Sequence, residues 1–369
     1  MRKLLLSFCL PAFLSLPTGS VGQTDGQRPN ILFILADDLG WGDLSCYGHP
    51  ELKTPNLDGL AAEGRMFTQF YVNAPACSPS RAAFLTGRYP GRLGIHAHIA
   101  GPDRNSQRGI VNFLDPEVVT LMDLMKGAGY ATGHFGKWHL GIGEGAPEPS
   151  AYGVDDSVVL QGNGKRINRG PVTAEFWQNA PTLVADEVVR FLEEHRDQRW
   201  FINYSTLVPH APLNPTGEQM EPYRRYSAGK QAPFAGATQV YYAAVSELDR
   251  QIGRVLAKLE ELGMRENTLV VFTSDNGPED IRAFNAAHSG VGSTGPFRGR
   301  KRSLYEGGIR EPLILRWPGR IPAKTVDDST VLAAIDFLPT LAELCDLPLK
   351  KETASGLDGQ DMSEAWLGK

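Results

Sequence analysis

The stretch CSPSRAAFLTGR, from Cys77 to Arg88, is the most informative segment of this chain of 369 residues. We predict a short helix from Ser78 to Leu85, in which Pro79 falls in the first turn. A proline is tolerated there because the first turn has no helical N–H bond to lose. A cysteine at the start of such a helix would, on its own, indicate no more than a small buried thiol.

Segments typical of strands and of helices alternate on both sides of this stretch. Continuous apolar runs indicate buried strands, and apolar stripes at helical spacing indicate amphipathic helices. The alternation predicts an α/β fold, in which helices cover both faces of a large, mostly parallel central sheet. The predicted strands are Asn30–Ala36, Trp200–Leu207, Thr268–Ser274 and Pro312–Arg316, and the further predicted helices are Leu57–Gly64, Thr182–His195, Val240–Leu262 and Val331–Leu344.

Two of the predicted strands end in pairs of acidic or amide residues. Asp37 and Asp38 follow the first strand, and Asp275 and Asn276 follow the strand Thr268–Ser274. Ligands of open α/β sheets bind beyond the carboxyl ends of the strands, so these pairs are expected to converge. Oxygen ligands alone suit hard cations such as calcium or magnesium. Either pair by itself could equally begin a turn or cap a helix.

Three further segments carry cationic or histidine side chains. Lys137 and His139 are two residues apart, which on an extended segment directs both side chains to the same side. His210 lies in the proline-stiffened segment Pro209–Pro212. The cluster Arg298–Arg302, which includes Lys301, has the composition of a nucleic-acid patch.

Together these segments resemble the type I sulfatases, whose C-x-P-x-R motif corresponds to Cys77, Pro79 and Arg81. The resemblance extends from Pro29 to about Gly359 and is strongest toward the N-acetylgalactosamine-6-sulfatase and arylsulfatase A group. It implies an alkaline-phosphatase-like sandwich, and it makes the basic cluster part of an active site rather than a nucleic-acid patch. The matching blocks that follow the motif contain Lys137 and His139, His210, and Lys301.

The resemblance also implies two cofactors. A formylglycine-generating enzyme, or an equivalent maturase, would convert Cys77 to formylglycine, whose hydrated form supplies a nucleophilic oxygen. A calcium ion would hold this oxygen and an oxygen of the sulfate together. The implied metal ligands are Asp37, Asp38, the modified Cys77, Asp275 and Asn276.

The catalytic roles implied by the resemblance divide the proton transfers among several side chains. Asp275 helps to deprotonate the nucleophile, and His210 with Lys301 protonates the leaving alcohol. His139 then takes a proton from the second hydroxyl of the hydrated aldehyde. The implied catalytic residues are Cys77, Arg81, Lys137, His139, His210 and Lys301, and those that also contact substrate are Lys137, His210 and Lys301.

We therefore predict a sulfuric ester hydrolase that acts on sulfated carbohydrates or aryl sulfates. One alternative is a phosphomonoester or phosphonate hydrolase of the same superfamily, since sulfur and phosphorus sites differ little in sequence. A second alternative is a truncated, inactive chain that binds glycans. A net charge of −5 gives no general reason to expect nucleic acid as a partner.

The amino-terminal segment has the pattern of a secretory signal peptide, which we assign to residues 1–22. Arg2 and Lys3 precede the apolar stretch Leu4–Leu16, and small residues follow. That stretch is too short for a stable membrane span, although an uncleaved anchor remains an alternative. The pattern predicts a secreted or periplasmic protein, or a lysosomal one in an animal.

Residues 27–369 would form the sulfatase catalytic domain. Sulfatases of this group usually continue into a small carboxyl-terminal domain, so we expect that domain to be largely absent and the chain to be a fragment or a short form. Cys46 and Cys345 could pair in an oxidising compartment, but two unpaired thiols are the simpler interpretation. The Gly- and Asn-rich segment Gln161–Pro171 is typical of a surface loop.

Overall fold

The computed structural model describes residues 28–163, 166, 172–227, 236–280 and 289–369. The predicted signal peptide, residues 1–22, lies outside the described residues, as does most of the predicted loop 161–171. The two cysteines discussed above, Cys46 and Cys345, are not paired.

Among the described residues, nine strands form one central sheet, as the alternating sequence pattern predicts. The order across the sheet is β4-β3-β5-β1-β6-β7-β2-β8, and β9 also pairs with β2. The neighbours from β4 to β6 are all parallel, whereas β7 runs antiparallel to both β6 and β2. The strands are β1 Asn30–Asp37, β2 Arg65–Tyr71, β3 Ala131–Lys137, β4 Asp156–Leu160, β5 Trp200–Pro209, β6 Thr268–Ser274, β7 Arg310–Arg316, β8 Thr325–Asp327 and β9 Leu332–Ala333.

Helices cover both faces of the sheet, and each face has its own apolar core. One core includes residues of α2, α4, α9 and α11, and the other includes residues of α1, α5 and α7. The α-helices are α1 Pro55–Ala62, α2 Cys77–Thr86, α3 Pro102–Arg108, α4 Leu121–Gly127, α5 Ala174–Glu194, α6 Gly217–Met220, α7 Ala237–Glu261, α8 Glu306–Ile309, α9 Phe337–Leu344, α10 Lys351–Gly356 and α11 Ser363–Leu367.

The long helix α7 shows why the apolar stripe was a good predictor. Its residues Val245, Leu248, Ile252, Val255 and Leu259 are all buried against the sheet. Burial of such a stripe stabilises a helix of this length more than its intrinsic propensity does. The prediction of this helix is therefore confirmed, with ends that differ by a few residues.

The predicted helix Val331–Leu344 is wrong in its first half. Leu332 and Ala333 form the short strand β9, which pairs with β2, and a 3-10 turn follows before α9 begins at Phe337. A carboxylate oxygen of Asp336 accepts a hydrogen bond from the Ala333 amide at 2.8 Å and holds the turn. Pairing with the sheet edge therefore takes precedence over the helical pattern.

No helix among the described residues has the length and apolar character that crossing a membrane requires.

Candidate active site and metal centre

The two polar strand ends lie side by side, because β1 and β6 are parallel neighbours in the sheet. Ala36 is in register with Ser274, and the Asp275 amide donates to the Ala36 carbonyl at 3.1 Å. The backbone of Asp38 then turns through the left-handed region, with φ of 66°, and its amide donates to Asp275 Oδ1 at 3.2 Å. The expected convergence of the two pairs is thus present.

Cys77 is the first residue of α2 and lies against the same carboxylates. Its Sγ is 3.8 Å from Asp37 Oδ1 and 3.9 Å from Asp38 Oδ1. Ligand atoms of these three residues and of Asp275 all lie within 4.8 Å of one another. Burial raises the pKa of the Cys77 thiol to about 12, so the unmodified side chain is a poor nucleophile at neutral pH.

Each of the three carboxylates forms a buried ion pair with a cationic side chain. The three negative and three positive formal charges cancel, which is how buried charges are normally accommodated. The pairs are Lys137 Nζ with Asp37 Oδ1 at 2.6 Å, Lys301 Nζ with Asp38 Oδ1 at 2.6 Å, and Arg81 Nη2 with Asp275 Oδ2 at 2.6 Å.

The protonation states follow from burial and from these ion pairs. Burial favours the neutral forms of Asp37 and Asp38, but the surrounding cations outweigh it and lower both pKa values. Burial likewise disfavours the charged lysines, yet the carboxylates raise the pKa of Lys137 and that of Lys301. In Asp275, burial outweighs the arginine partner and raises the pKa. Asp275 is therefore the carboxylate of the three that takes up a proton most readily.

The residues at the strand ends fit a hard cation. Asn276 Nδ2 donates to Asp38 Oδ1 at 2.7 Å, while its Oδ1 is buried and has no hydrogen-bond partner among the described residues. A buried acceptor without a partner is uncommon in folded proteins. Carboxylate oxygens with an unpartnered amide oxygen beside them are the donor set that calcium prefers. These residues could therefore hold a metal ion.

The two histidines are both partly buried and differ in bonding. His210 Nε2 lies 3.8 Å from Asp38 Oδ2, and its side chain is 27% exposed. His139 is partly buried, and its Nε2 lies 2.9 Å from the carbonyl oxygen of Ile99. Because a carbonyl only accepts, His139 Nε2 carries the proton and Nδ1 keeps a free lone pair, which has no partner among the described residues. Burial and the nearby cations lower the pKa of His139 well below its usual range.

A cavity of about 430 Å³ opens above Cys77. Its size and its mixture of apolar and polar walls are typical of a small-molecule site. The residues that line it are Cys77, His98, Ile99, Ala100, Gly101, Pro102, His139, Ile142, Gly143, Gln161, His210, Lys301 and Arg302.

The structure thus brings the predicted residues together, but not always for the predicted reason. Lys137 and His139 do not lie on one extended segment, because β3 ends at Lys137 and His139 has a φ of 56°. Gly136, with φ of 112°, brings β3 so close to β5 that an added Cβ would lie 1.8 Å from the carbonyl oxygen of Ser205. The turn after the strand therefore directs His139 into the cavity, which residue spacing alone could not show.

The polar contacts of two residues are not predicted by the sequence. Ser205 Oγ accepts a hydrogen bond from Arg81 Nη1, although the sequence predicts only that Ser205 lies within the buried strand Trp200–Leu207. Glu279 lies 3.7 Å from Lys301 Nζ and pairs with Arg302. The only sequence signal for this pairing was its position shortly after Asp275 and Asn276.

Comparison with known proteins gives a family for this chain. The family model described as Sulfatase matches residues 29–347. Arylsulfatase A of Homo sapiens is 36% identical to this chain, in an alignment that covers 95% of this chain and 70% of the relative. N-acetylgalactosamine-6-sulfatase of Sus scrofa is 38% identical, with coverages of 96% and 69%.

A solved structure shows the same fold. Ps i-CgsB in complex with k-i-k-neocarrahexaose matches with a TM-score of 0.77 and 27% sequence identity. The match covers 93% of this chain and 77% of that chain, so nearly all of the described sheet and its helices have counterparts there.

Proposed function

Because the chain belongs to the sulfatase family and is a sulfuric ester hydrolase, we propose that its substrates are sulfate monoesters of carbohydrates. The observation that supports this most is Cys77, which lies within 4 Å of two paired carboxylates at the base of the cavity. The relatives point to sugars, since one is named for N-acetylgalactosamine 6-sulfate and another binds a neocarrahexaose.

Position 77 would carry formylglycine, produced by a formylglycine-generating enzyme or an equivalent maturase. The hydrated aldehyde supplies a nucleophilic oxygen that no standard side chain offers, and calcium supplies positive charge beside it. The raised pKa of the unmodified thiol favours this proposal, because a buried neutral thiol could not itself attack sulfur readily. The residues that would hold the calcium ion are Asp37, Asp38, the modified Cys77, Asp275 and Asn276.

The remaining residues would move protons and bind the sulfate. His210 is partly exposed at the cavity and, with Lys301, would donate a proton to the leaving alcohol. His139 would accept a proton at its free Nδ1 in the later release of sulfate. Asp275 has the pKa direction needed to accept a proton from the nucleophile.

Arg81, Lys137 and Lys301 would stabilise the negative oxygens of the sulfate. They are buried and held by ion pairs, so little reorganisation is needed when charge develops during the reaction. In this proposal residues 27–369 are the catalytic domain, and residues 1–22 direct export to an extracellular, periplasmic or lysosomal compartment.

The test is a comparison of substrates. The protein, co-expressed with a formylglycine-generating enzyme, is assayed on 4-nitrophenyl sulfate, 4-nitrophenyl phosphate and a panel of monosulfated sugars. We expect the sulfate esters to be hydrolysed with higher kcat/KM than the phosphate, and Cys77→Ala to abolish turnover. A preference for the phosphate would instead support a phosphomonoester hydrolase.

A further inference from the structure

Arg302 lies in the cavity wall directly after the predicted active-site lysine. Its backbone has a φ of 70°, in the left-handed region that favours glycine and is uncommon for an arginine. Its amide donates to the carbonyl of Pro75 at 2.8 Å, which ties this loop to the segment that leads into Cys77. Such an unfavourable backbone conformation, maintained beside a reactive centre, suggests that the side chain has a role there.

Glu279 holds the guanidinium group of Arg302. Nη1 and Nη2 each donate to one carboxylate oxygen of Glu279, and the Nη2–Oε2 distance is 3.1 Å. The Glu279 side chain is 3% exposed, whereas that of Arg302 is 51% exposed. The buried carboxylate therefore fixes the orientation of the guanidinium and leaves part of it accessible. Lys301 Nζ also lies 3.7 Å from this carboxylate, but it pairs more closely with Asp38 at 2.6 Å, so Arg302 is the principal cationic partner of Glu279.

His98 adds a neutral hydrogen-bond donor to the same cavity. Arg108 Nη1 lies 3.2 Å from His98 Nε2, and a guanidinium only donates, so Nε2 accepts and the proton is on Nδ1. Burial, together with the charges of Arg108, Lys301 and Arg302, lowers the pKa of His98 to about 4. His98 is thus uncharged at neutral pH, and its Nδ1 carries the single ring proton. Its ring centroid lies 6.5 Å from that of His139.

The cavity as a whole suits a ligand that carries more than one negative group. No Asp or Glu is present among the described residues that line it, whereas Lys301 and Arg302 are cationic. The proposed function assigns Lys301 to the scissile sulfate and gives no task to Arg302 or His98. Ile99, Ala100, Pro102 and Ile142 supply an apolar wall for the face of a sugar ring.

We propose that Arg302, oriented by Glu279 and assisted by His98, recognises a second oxyanion on the sulfated substrate. This inference rests on the proposed function and specifies the substrate class as a sulfated sugar with a further acidic group near the scissile ester. The group would be the carboxylate of a uronic acid or a second sulfate. Charge-assisted hydrogen bonds from a guanidinium to either oxyanion are short and directional. Arg302 is therefore a specificity residue, and Glu279 is a positioning residue.

The experiment compares Arg302→Gln with Arg298→Gln as a matched control. Arg298 belongs to the same basic cluster and is exposed, but it stacks on Tyr305 and does not line the cavity. The substrates are N-acetylgalactosamine 6-sulfate, its 4,6-disulfate, and a disaccharide of this 6-sulfated sugar with a uronic acid. Sugars that are not cleaved are measured as competitive inhibitors of 4-nitrophenyl sulfate hydrolysis.

We expect the wild-type protein to prefer one or both acidic sugars to the monosulfated one. Arg302→Gln should lower the ratio of kcat/KM, or of inhibition constants, between acidic and monosulfated sugars by about tenfold. Glu279→Gln should lower it by about threefold, because the guanidinium is kept but no longer held by a charge. Arg298→Gln should change the ratio by less than about twofold.

The pattern of loss identifies the oxyanion. If Arg302→Gln loses the preference for the disulfated sugar alone, Arg302 recognises a second sulfate. If it loses the preference for the disaccharide alone, Arg302 recognises the carboxylate of the uronic acid. An unchanged ratio in Arg302→Gln, or an equal change in Arg298→Gln, would overturn the inference while aryl sulfate hydrolysis persists. Absence of hydrolysis of every sulfate ester by the wild-type protein would instead contradict the proposed function.

Discussion

Lys137 Nζ lies 2.6 Å and 2.8 Å from the two carboxylate oxygens of Asp37, so the lysine contacts both oxygens that this carboxylate could offer to a metal ion. Lys301 relates to Asp38 in the same way, at 2.6 Å and 2.7 Å. The fold therefore neutralises its proposed metal ligands with its own cations. A bound calcium ion would have to share these oxygens with the two lysines.

This arrangement predicts that chelation abolishes activity without unfolding the protein. Removal of Lys137 in Lys137→Met should destabilise the metal-free protein by about 3 kcal/mol, because a buried carboxylate loses its partner. The rise in Tm on adding calcium should then be larger in the variant than in the wild type, since no lysine competes for Asp37. Differential scanning fluorimetry in chelator and in excess calcium measures both quantities.

Lys126→Met is the matched control for this prediction. Lys126 pairs with Asp155 at 2.7 Å on the surface, where both side chains are partly exposed. Its loss should cost less than about 1 kcal/mol and leave the calcium effect as in the wild type. Equal calcium-induced rises in Tm for Lys137→Met and the wild type would contradict competition between the lysine and the metal.

Arg81 is expected to be irreplaceable even by another cation. Its Nε and Nη2 both donate to Asp275, and Nη1 donates to the Lys137 carbonyl at 2.9 Å and to Ser205. Arg81→Lys keeps the charge but loses the set of hydrogen bonds that the forked guanidinium group donates. We therefore expect unfolding in urea to show about 2 kcal/mol of destabilisation. Ser205→Ala, which removes a single partner, should cost about 1 kcal/mol. Similar stabilities for Arg81→Lys and the wild type would show that the fork has no structural role.

His134 should make stability fall in acid. The residue is 1% exposed, neither ring nitrogen has a hydrogen-bond partner among the described residues, and burial lowers its pKa to about 3. Between pH 6.5 and pH 3 the unfolded chain binds a proton that the folded protein does not, so stability decreases as pH falls. The free energy of unfolding attributable to His134 should drop by about 4 kcal/mol across this range.

The contribution of His134 is isolated by subtracting the pH profile of His134→Gln from that of the wild type. The difference removes the carboxylates that titrate in the same range. A constant difference between pH 7 and pH 4 would contradict the predicted effect of burial on this histidine.

Much of the sheet and of the site could be predicted because both depend on local sequence. Apolar runs define β1 and β6, and parallel pairing of neighbouring strands then brings Asp38 and Asp275 together. The turn at His139 and the antiparallel direction of β7 depend on contacts between distant segments, which the local pattern does not contain.

The pairing of Glu279 with Arg302 could not be predicted from the sequence for a similar reason. The two residues are separated by 23 positions, and the local sequence pattern does not show whether residues so far apart meet. A run of basic residues also has the same sequence pattern whether its side chains face solvent or a buried carboxylate. Only the fold distinguishes Arg302, which lines the cavity, from Arg298, which does not.

The central claim, that position 77 supplies the nucleophile as formylglycine, is tested most directly by mass spectrometry of the tryptic peptide Met66–Arg81 from active protein. We predict a peptide whose mass is lower than that of the cysteine form by the difference between a –CH2SH and a –CHO group. This peptide should react with a hydrazide probe, and its abundance should rise with specific activity across preparations. Cys77→Ala should be folded and inactive. Full sulfatase activity in a preparation whose residue 77 is entirely unmodified cysteine would contradict the account.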